Sequence, residues 1–285
     1  MKKFSLLIMI LSRFGNFSQA QDSSNNTEDK ARMNFYIISK PKKIDPASYY
    51  NIARAKLKCV FKGKKFRAIV ASSPEKMERQ IRKALTKHNA KIGSLWFDSH
   101  GSIKKGYSFF TVGKAEFSYK NIDDAGSIAS LKAIAAYCDS NSKIGIGSCY
   151  GGATYNRPQN GKLALSRMNG DSLMIGMGTI FQSSTIYACE SWVMTKPGLF
   201  RERFAMAGSP PRKKFKDVMF KTVWERLGEW NSYNSNIQSI RQVNCVMLDK
   251  YGNIGTRFNN YQSKPRVKKH IARKLDKLEP GLLKI

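Results

Sequence analysis

The stretch Ile144-Gly145-Ile146-Gly147-Ser148-Cys149-Tyr150-Gly151-Gly152 constrains the fold of this chain more than any other. The apolar residues before the break suit a buried strand. The glycines after it let the backbone turn sharply and come close to another group. A second apolar run, Ile92 to Phe97, ends in the same way and leads into Asp98-Ser99-His100-Gly101. Two such runs in one parallel sheet place a thiol and an imidazole at neighbouring strand ends, 49 positions apart in the chain.

The segments around them alternate in type. Asn34–Ser39 and Phe66–Ser72 read as strands. Ser73-Pro74-Glu75 is a helix start with a cap, a proline in the first turn and an early acid, and Met77, Ile81 and Leu85 follow at helical spacing. His88 falls near the end of that helix as a capping or surface residue. Lys105 to Tyr119 suits a hairpin or an irregular flap. Asp123-Asp124 opens a helix whose Ile128, Leu131, Ala135 and Cys138 face the core. A loop with Pro158 and Gly161 follows Cys149. Leu173 to Phe181 reads as a fifth strand, broken by Gly176 and Gly178.

Pro197–Ala207 reads as a short helix. Phe215, Met219, Val223, Leu227 and Trp230 mark a longer amphipathic one. Val243–Leu248, a turn at Tyr251-Gly252-Asn253, and Ile254–Phe258 close the domain as a strand and hairpin. Strands alternating with helices predict an α/β fold, a mostly parallel central sheet with helices on both faces. Sites in such folds form at the carboxyl ends of the strands.

The flanks differ from this pattern. Residues 1–20 read as a signal peptide: basic Met1-Lys2-Lys3, apolar Phe4 to Leu11, and a small-x-small Ser18-Gln19-Ala20. That run is too short to span a bilayer and no later segment reaches the length, so the expectation is a secreted or periplasmic protein without a transmembrane segment. Residues 21–33 read as a disordered leader, 34–258 as one α/β domain, and 259–285 as a basic tail. Fifty Lys and Arg stand against twenty acids, a formal charge of +30. Ten basic residues and one acid, Asp45, lie between Lys40 and Arg67, and the plainer reading of that run is a solvated face. The excess favours contact with an anionic surface or polymer.

Five cysteines leave one over. Either Cys59, Cys138, Cys189 and Cys245 pair in an oxidising compartment and Cys149 stays a thiol, or the chain holds several buried thiols. A nucleophilic cysteine needs its proton taken by, or its thiolate paired with, a nearby imidazole. Acyl transfer also needs donors for the developing oxyanion, and the N–H groups of Gly101 and Cys149 are the candidates. The alternative is an inert core thiol at Cys149 and a turn residue at His100. The three histidines are scattered and no metal-binding motif exists, so no metal or other cofactor is called for.

Leu95-Trp96-Phe97-Asp98-Ser99-His100-Gly101 and Ile146-Gly147-Ser148-Cys149-Tyr150-Gly151-Gly152 resemble the histidine-glycine and cysteine motifs of the caspase-like cysteine peptidases, the group of legumain, clostripain, gingipain and the caspases. The likeness spans about residues 34–205 and includes the order of elements between the motifs. It implies a three-layer caspase-like sandwich acting on a protein or peptide substrate. His100 would be the catalytic histidine, Cys149 the nucleophile, and Gly101 an oxyanion contributor. Ser148 stands where many members have alanine. Glu190 or Asp171 could line a pocket for a basic residue, although the plainer reading of each is a surface carboxylate.

Two rivals remain. Gly147-Ser148-Cys149-Tyr150-Gly151 also satisfies the nucleophile elbow of α/β-hydrolases and amidotransferase-like proteins, whose histidine follows the nucleophile. Only His270 does so here, inside a lysine-rich tail. A non-catalytic basic protein that binds anionic polymers fits the charge but lacks nucleic-acid signatures.

Overall fold

A computed structural model describes residues 31–40, 46–60, 65–101, 106–154, 168–190, 193–195, 203–207, 230–243 and 246–256. The chain runs β1 (Arg32–Ser39), α1 (Pro46–Val60), β2 (Phe66–Ala71), α2 (Pro74–His88), β3 (Lys91–Asp98), β4 (Phe109–Val112) and β5 (Ala115–Ser118). Next come α3 (Ala125–Ala135), β6 (Lys143–Ile146), α4 (Gly170–Ile180), β7 (Thr185–Cys189), β8 (Val193–Thr195) and β9 (Arg203–Ala207). The last described elements are β10 (Trp230–Asn234), β11 (Ser239–Val243), β12 (Val246–Asp249) and β13 (Ile254–Thr256).

The protein is an α/β structure with a mostly parallel seven-stranded sheet in the order β11-β10-β7-β6-β3-β1-β2. From β7 to β2 every pairing is parallel, and β10 joins β7 antiparallel. The strands read as continuous apolar runs because both faces are covered. Phe35 and Ile37 of β1, Leu95 and Phe97 of β3, and Ile186 and Ala188 of β7 pack on one face with Met77, Ile81, Leu131, Met174 and Met177 of α2, α3 and α4. Tyr36, Trp96 and Tyr187, the alternating positions, pack on the other with Ala55 and Cys59 of α1 and with Val246, Leu248 and Ile254 of β12 and β13. Those two strands belong to a four-stranded sheet, β13-β12-β9-β8. Among the described residues no helix is long and apolar enough to cross a membrane.

Most expected elements are present, with local corrections. β1 begins at Arg32, inside the stretch read as leader. Leu173–Phe181 is not a strand, because Gly170–Ile180 forms α4. Its buried positions Leu173, Met174, Met177 and Ile180 follow a helical period, while Ser172, Ile175 and Thr179 face solvent. The glycines mark close packing: a Cβ at Gly176 would lie 2.4 Å from Ile122, and one at Gly178 2.3 Å from the Tyr233 ring. The next parallel strand is instead β7. Arg203–Ala207 is not helical either, since β9 pairs antiparallel with both β8 and β12, and these two ladders override the local preference. Cys138 lies beyond the end of α3, packed against the core.

Trp230, read as the last turn of a helix, opens β10, where it pairs with Cys189 and Val243. The rest of that predicted helix, the signal peptide, the Pro158–Gly161 loop, Cys245, Phe258 and the basic tail lie outside the described residues.

One ion pair ties the amino ends of β1 and β3 to the turn before β6. Arg32 binds both oxygens of Asp139, at 2.9 and 2.8 Å, and Lys91 adds a third contact at 3.2 Å. The Arg32 guanidinium holds the Asp139 carboxyl well below the usual carboxylate range. A carboxyl depressed by folding contributes stability that is complete above the unfolded value of about 4 and is lost as pH falls towards the lower folded value. Asp139→Asn is therefore expected to destabilise the protein by about 1 kcal/mol at pH 7, a small figure because the pair is partly open to water. Urea melts across pH should show the gap from wild type closing below about pH 3. A gap that stays constant below that pH would assign the loss to packing instead.

Candidate active site

β3 and β6 are adjacent and parallel, with Phe97 opposite Ile146, so their carboxyl ends emerge side by side. The ladder extends one step beyond the strands, as Gly147 N–H donates to the Phe97 carbonyl at 2.7 Å. The chains then meet backbone to backbone. A Cβ built on Gly101 would lie 1.8 Å from the carbonyl oxygen of Cys149 and 2.9 Å from its nitrogen. Glycine is needed at 101 because the cysteine loop itself fills that space. His100, the residue before it, is exposed, and Cys149 is half-buried.

The Cys149 sulfur faces β8. It accepts from the Val193 N–H at 3.5 Å and lies 3.8 Å from the Val193 carbonyl oxygen. Val193 thus offers the sulfur both a main-chain donor and a main-chain acceptor. Tyr150, directly after the cysteine, is buried and sits in the left-handed region at φ +64°. Such a conformation costs a non-glycine residue of order 1 kcal/mol or more and persists only where its surroundings enforce it.

The β4–β5 hairpin supplies that enforcement. Ser148 Oγ donates to the Phe109 carbonyl at 2.8 Å, and Ser108 Oγ donates to the Tyr150 carbonyl at 2.7 Å. On the histidine side, the Thr111 N–H donates to Ser99 Oγ at 3.0 Å. One hairpin thus holds both loops. Ser148, the departure from the alanine of many caspase-like peptidases, has a structural task that alanine could not perform.

Glu190 is not a surface carboxylate. It lies at the carboxyl end of β7, beside β6, and is 3% exposed. The Asn231 amide donates both to Glu190 Oε1 at 2.9 Å and to the Gly152 carbonyl at 3.0 Å. Thr154 Oγ1 lies 3.5 Å from the same Glu190 oxygen. The carboxylate and Asn231 therefore brace the loop after the cysteine from the far side. Asp171 sits in the first turn of α4, where its carboxylate accepts from the Ser172 N–H at 2.9 Å. Sequence reasoning missed Val193, Asn231 and the brace at Glu190. The apolar run Ile186-Tyr187-Ala188-Cys189 before Glu190 was the available signal of a third strand end.

Cys59 and Cys138 are free thiols on opposite faces of the sheet, so they do not pair with each other. Burial pushes each up to about 12. His88 is half-buried, 3.2 Å from an Arg67 nitrogen, and takes no part in the site. Among the described residues no three His, Cys, Asp or Glu side chains gather where they could hold a metal ion. In native protein at about pH 8, iodoacetamide is expected to modify Cys149 and to spare Cys59 and Cys138 until the chain is unfolded. Peptide mass mapping reads the order, and equal rates at Cys59 and Cys149 would contradict it.

Comparison with known protein families gives no matching family model, and no curated protein matches the sequence significantly.

Proposed function

We propose that the protein is a cysteine endopeptidase that hydrolyses peptide bonds through His100 and Cys149, exported and built as a caspase-like three-layer sandwich. The meeting of the Gly101 and Cys149 backbones at adjacent strand ends carries this reading. It goes with an exposed His100 and a half-buried Cys149 in the loops that follow two adjacent parallel strands, at the carboxyl edge where α/β folds hold their ligands.

His100 takes the thiol proton, and the sulfur attacks the carbonyl carbon of the scissile bond. The main-chain N–H groups of Cys149 and Gly101 are assigned to the oxyanion. The carbon–nitrogen bond then breaks, and the imidazolium returns its proton to the leaving amine. A thioester remains on Cys149 until water, deprotonated by His100, releases the carboxylic acid.

A peptidyl acyloxymethyl ketone library with varied first residue tests the reading. The expected result is stoichiometric mass addition at Cys149, lost in His100→Ala, together with cleavage of the matching fluorogenic peptides. Labelling that ignores both the peptide and His100 would overturn it. The α/β-hydrolase reading is disfavoured by the local chain path, since residues 148–152 form turn and bend where an elbow would begin a helix.

A further inference from the structure

β2 is the outer strand of the central sheet, and among the described residues no strand pairs with its free side. α1 and α2 lie on opposite faces of the sheet at this edge, and between them runs an open groove of about 780 Å³. That size is within the roughly 300–1,000 Å³ of ligand sites. Its apolar part is built by Phe66, Ala68 and Ile69 of β2 with Val60 of α1, and Val60 is 74% exposed. Leu57, one turn back on α1, is a second exposed apolar side chain at 44%.

The rim has a single sign. Among the described residues, Lys56, Arg67, Lys83 and Lys87 line the groove and no acid does. Neither α1 nor β2 contains an acidic residue. On α2, Glu78 is turned to Arg82 at 2.9 Å. Gln80, Lys83 and Lys87 recur at helical spacing along the wall.

We propose that this groove docks an acidic segment of a partner protein in which carboxylates alternate with aliphatic side chains. The aliphatic groups cover the floor and the carboxylates reach the four rim cations. The groove is concave and set between two helices, so the plane of a bilayer does not reach its floor. A nucleic-acid backbone would satisfy the cations but leave the apolar floor unfilled. Cys59, whose sulfur is hydrogen-bonded by the main chain of Ala68, blunts the strand edge. Recognition is proposed through side chains, with one position of the strand edge already taken by that sulfur. The proposal does not depend on the peptidase reading.

Fluorescence anisotropy with the full chain tests it, using a labelled Glu-Leu repeat peptide and a Glu-Ser repeat of equal charge. Lys56→Ala/Lys83→Ala/Lys87→Ala is expected to weaken Glu-Leu binding about tenfold, as three screened charges acting together would. Val60→Asp, at an exposed position that does not threaten folding, weakens it as well. Lys114→Ala/Lys120→Ala/Lys132→Ala, an equal charge change at other exposed positions, leaves it within about twofold.

Equal affinity for Glu-Ser, equal loss in the control triple variant, or no saturable binding at physiological salt would overturn the proposal. So would tighter, groove-dependent binding of a DNA duplex or of anionic vesicles, which would assign the site to nucleic acid or lipid.

Discussion

On the proposed mechanism, Cys149→Ala is expected to abolish peptide hydrolysis, lowering kcat/KM by about 10⁴-fold or more, because the Cys149 sulfur carries the acyl intermediate. The structure makes this a clean experiment. Alanine removes one sulfur from a half-buried position whose partners include the main-chain groups of Val193. It leaves the serine contacts to the hairpin intact, so stability should change by less than about 1 kcal/mol. Urea unfolding measured beside the kinetics separates the two effects. Undiminished cleavage by the alanine variant would remove Cys149 from the mechanism, and with it the peptidase reading. A variant that is both inactive and unfolded would contradict the local account of the loop. On the same mechanism His100→Ala should show a comparable deficit in cleavage.

How much of this was legible in the chain depends on the range of the interactions involved. Both site loops follow apolar runs that end in glycine-rich turns, a local signal, and the structure puts them at adjacent strand ends. The capped start of α2 was equally plain: Ser73 accepts from the Lys76 N–H, and Met77, Ile81 and Leu85 are buried. α1 was hidden. Its inward positions Ala55 and Cys59 are embedded in the basic run, and only the face they cover shows them to be a stripe.

α4 was misread as a strand broken by Gly176 and Gly178, whereas these glycines sit in a helix and admit Ile122 and Tyr233. Polar β10 and β11 carry little strand signal of their own, and their pairing with β7 and with each other defines them. The burial of Glu190 depends on Asn231, 41 residues further on, and no local pattern announces it. Short-range chemistry was readable, and long-range bracing was not.

Gly101→Ala is the second large expected effect, and it tests the geometry rather than the chemistry. The added methyl would sit 1.8 Å from the Cys149 carbonyl oxygen and 2.8 Å from its carbonyl carbon. Both obstacles are backbone, so no side-chain rotation relieves the overlap. Nor can the cysteine loop retreat freely. Ser148 and Ser108 bond it to the hairpin, and Gly152 N–H donates to the Cys189 carbonyl at 2.9 Å. Giving way would break two or three hydrogen bonds of about 1 kcal/mol each. The expected outcome is a loss of about 2–3 kcal/mol in urea unfolding. Activity should fall about 100-fold or more, since a displacement near 1 Å misaligns the reacting groups. Gly126→Ala supplies the contrast. Its Cβ would meet nothing closer than Asp124 Oδ2 at 3.6 Å, in the first turn of α3, so the same substitution should stabilise the protein by about 0.5–1 kcal/mol. Opposite signs for one chemical change at two glycines would be hard to obtain unless the two site loops touch as described. If Gly101→Ala instead matched wild type in both stability and turnover, the close approach of residues 101 and 149 would be refuted, and His100 and Cys149 would have no common site to serve.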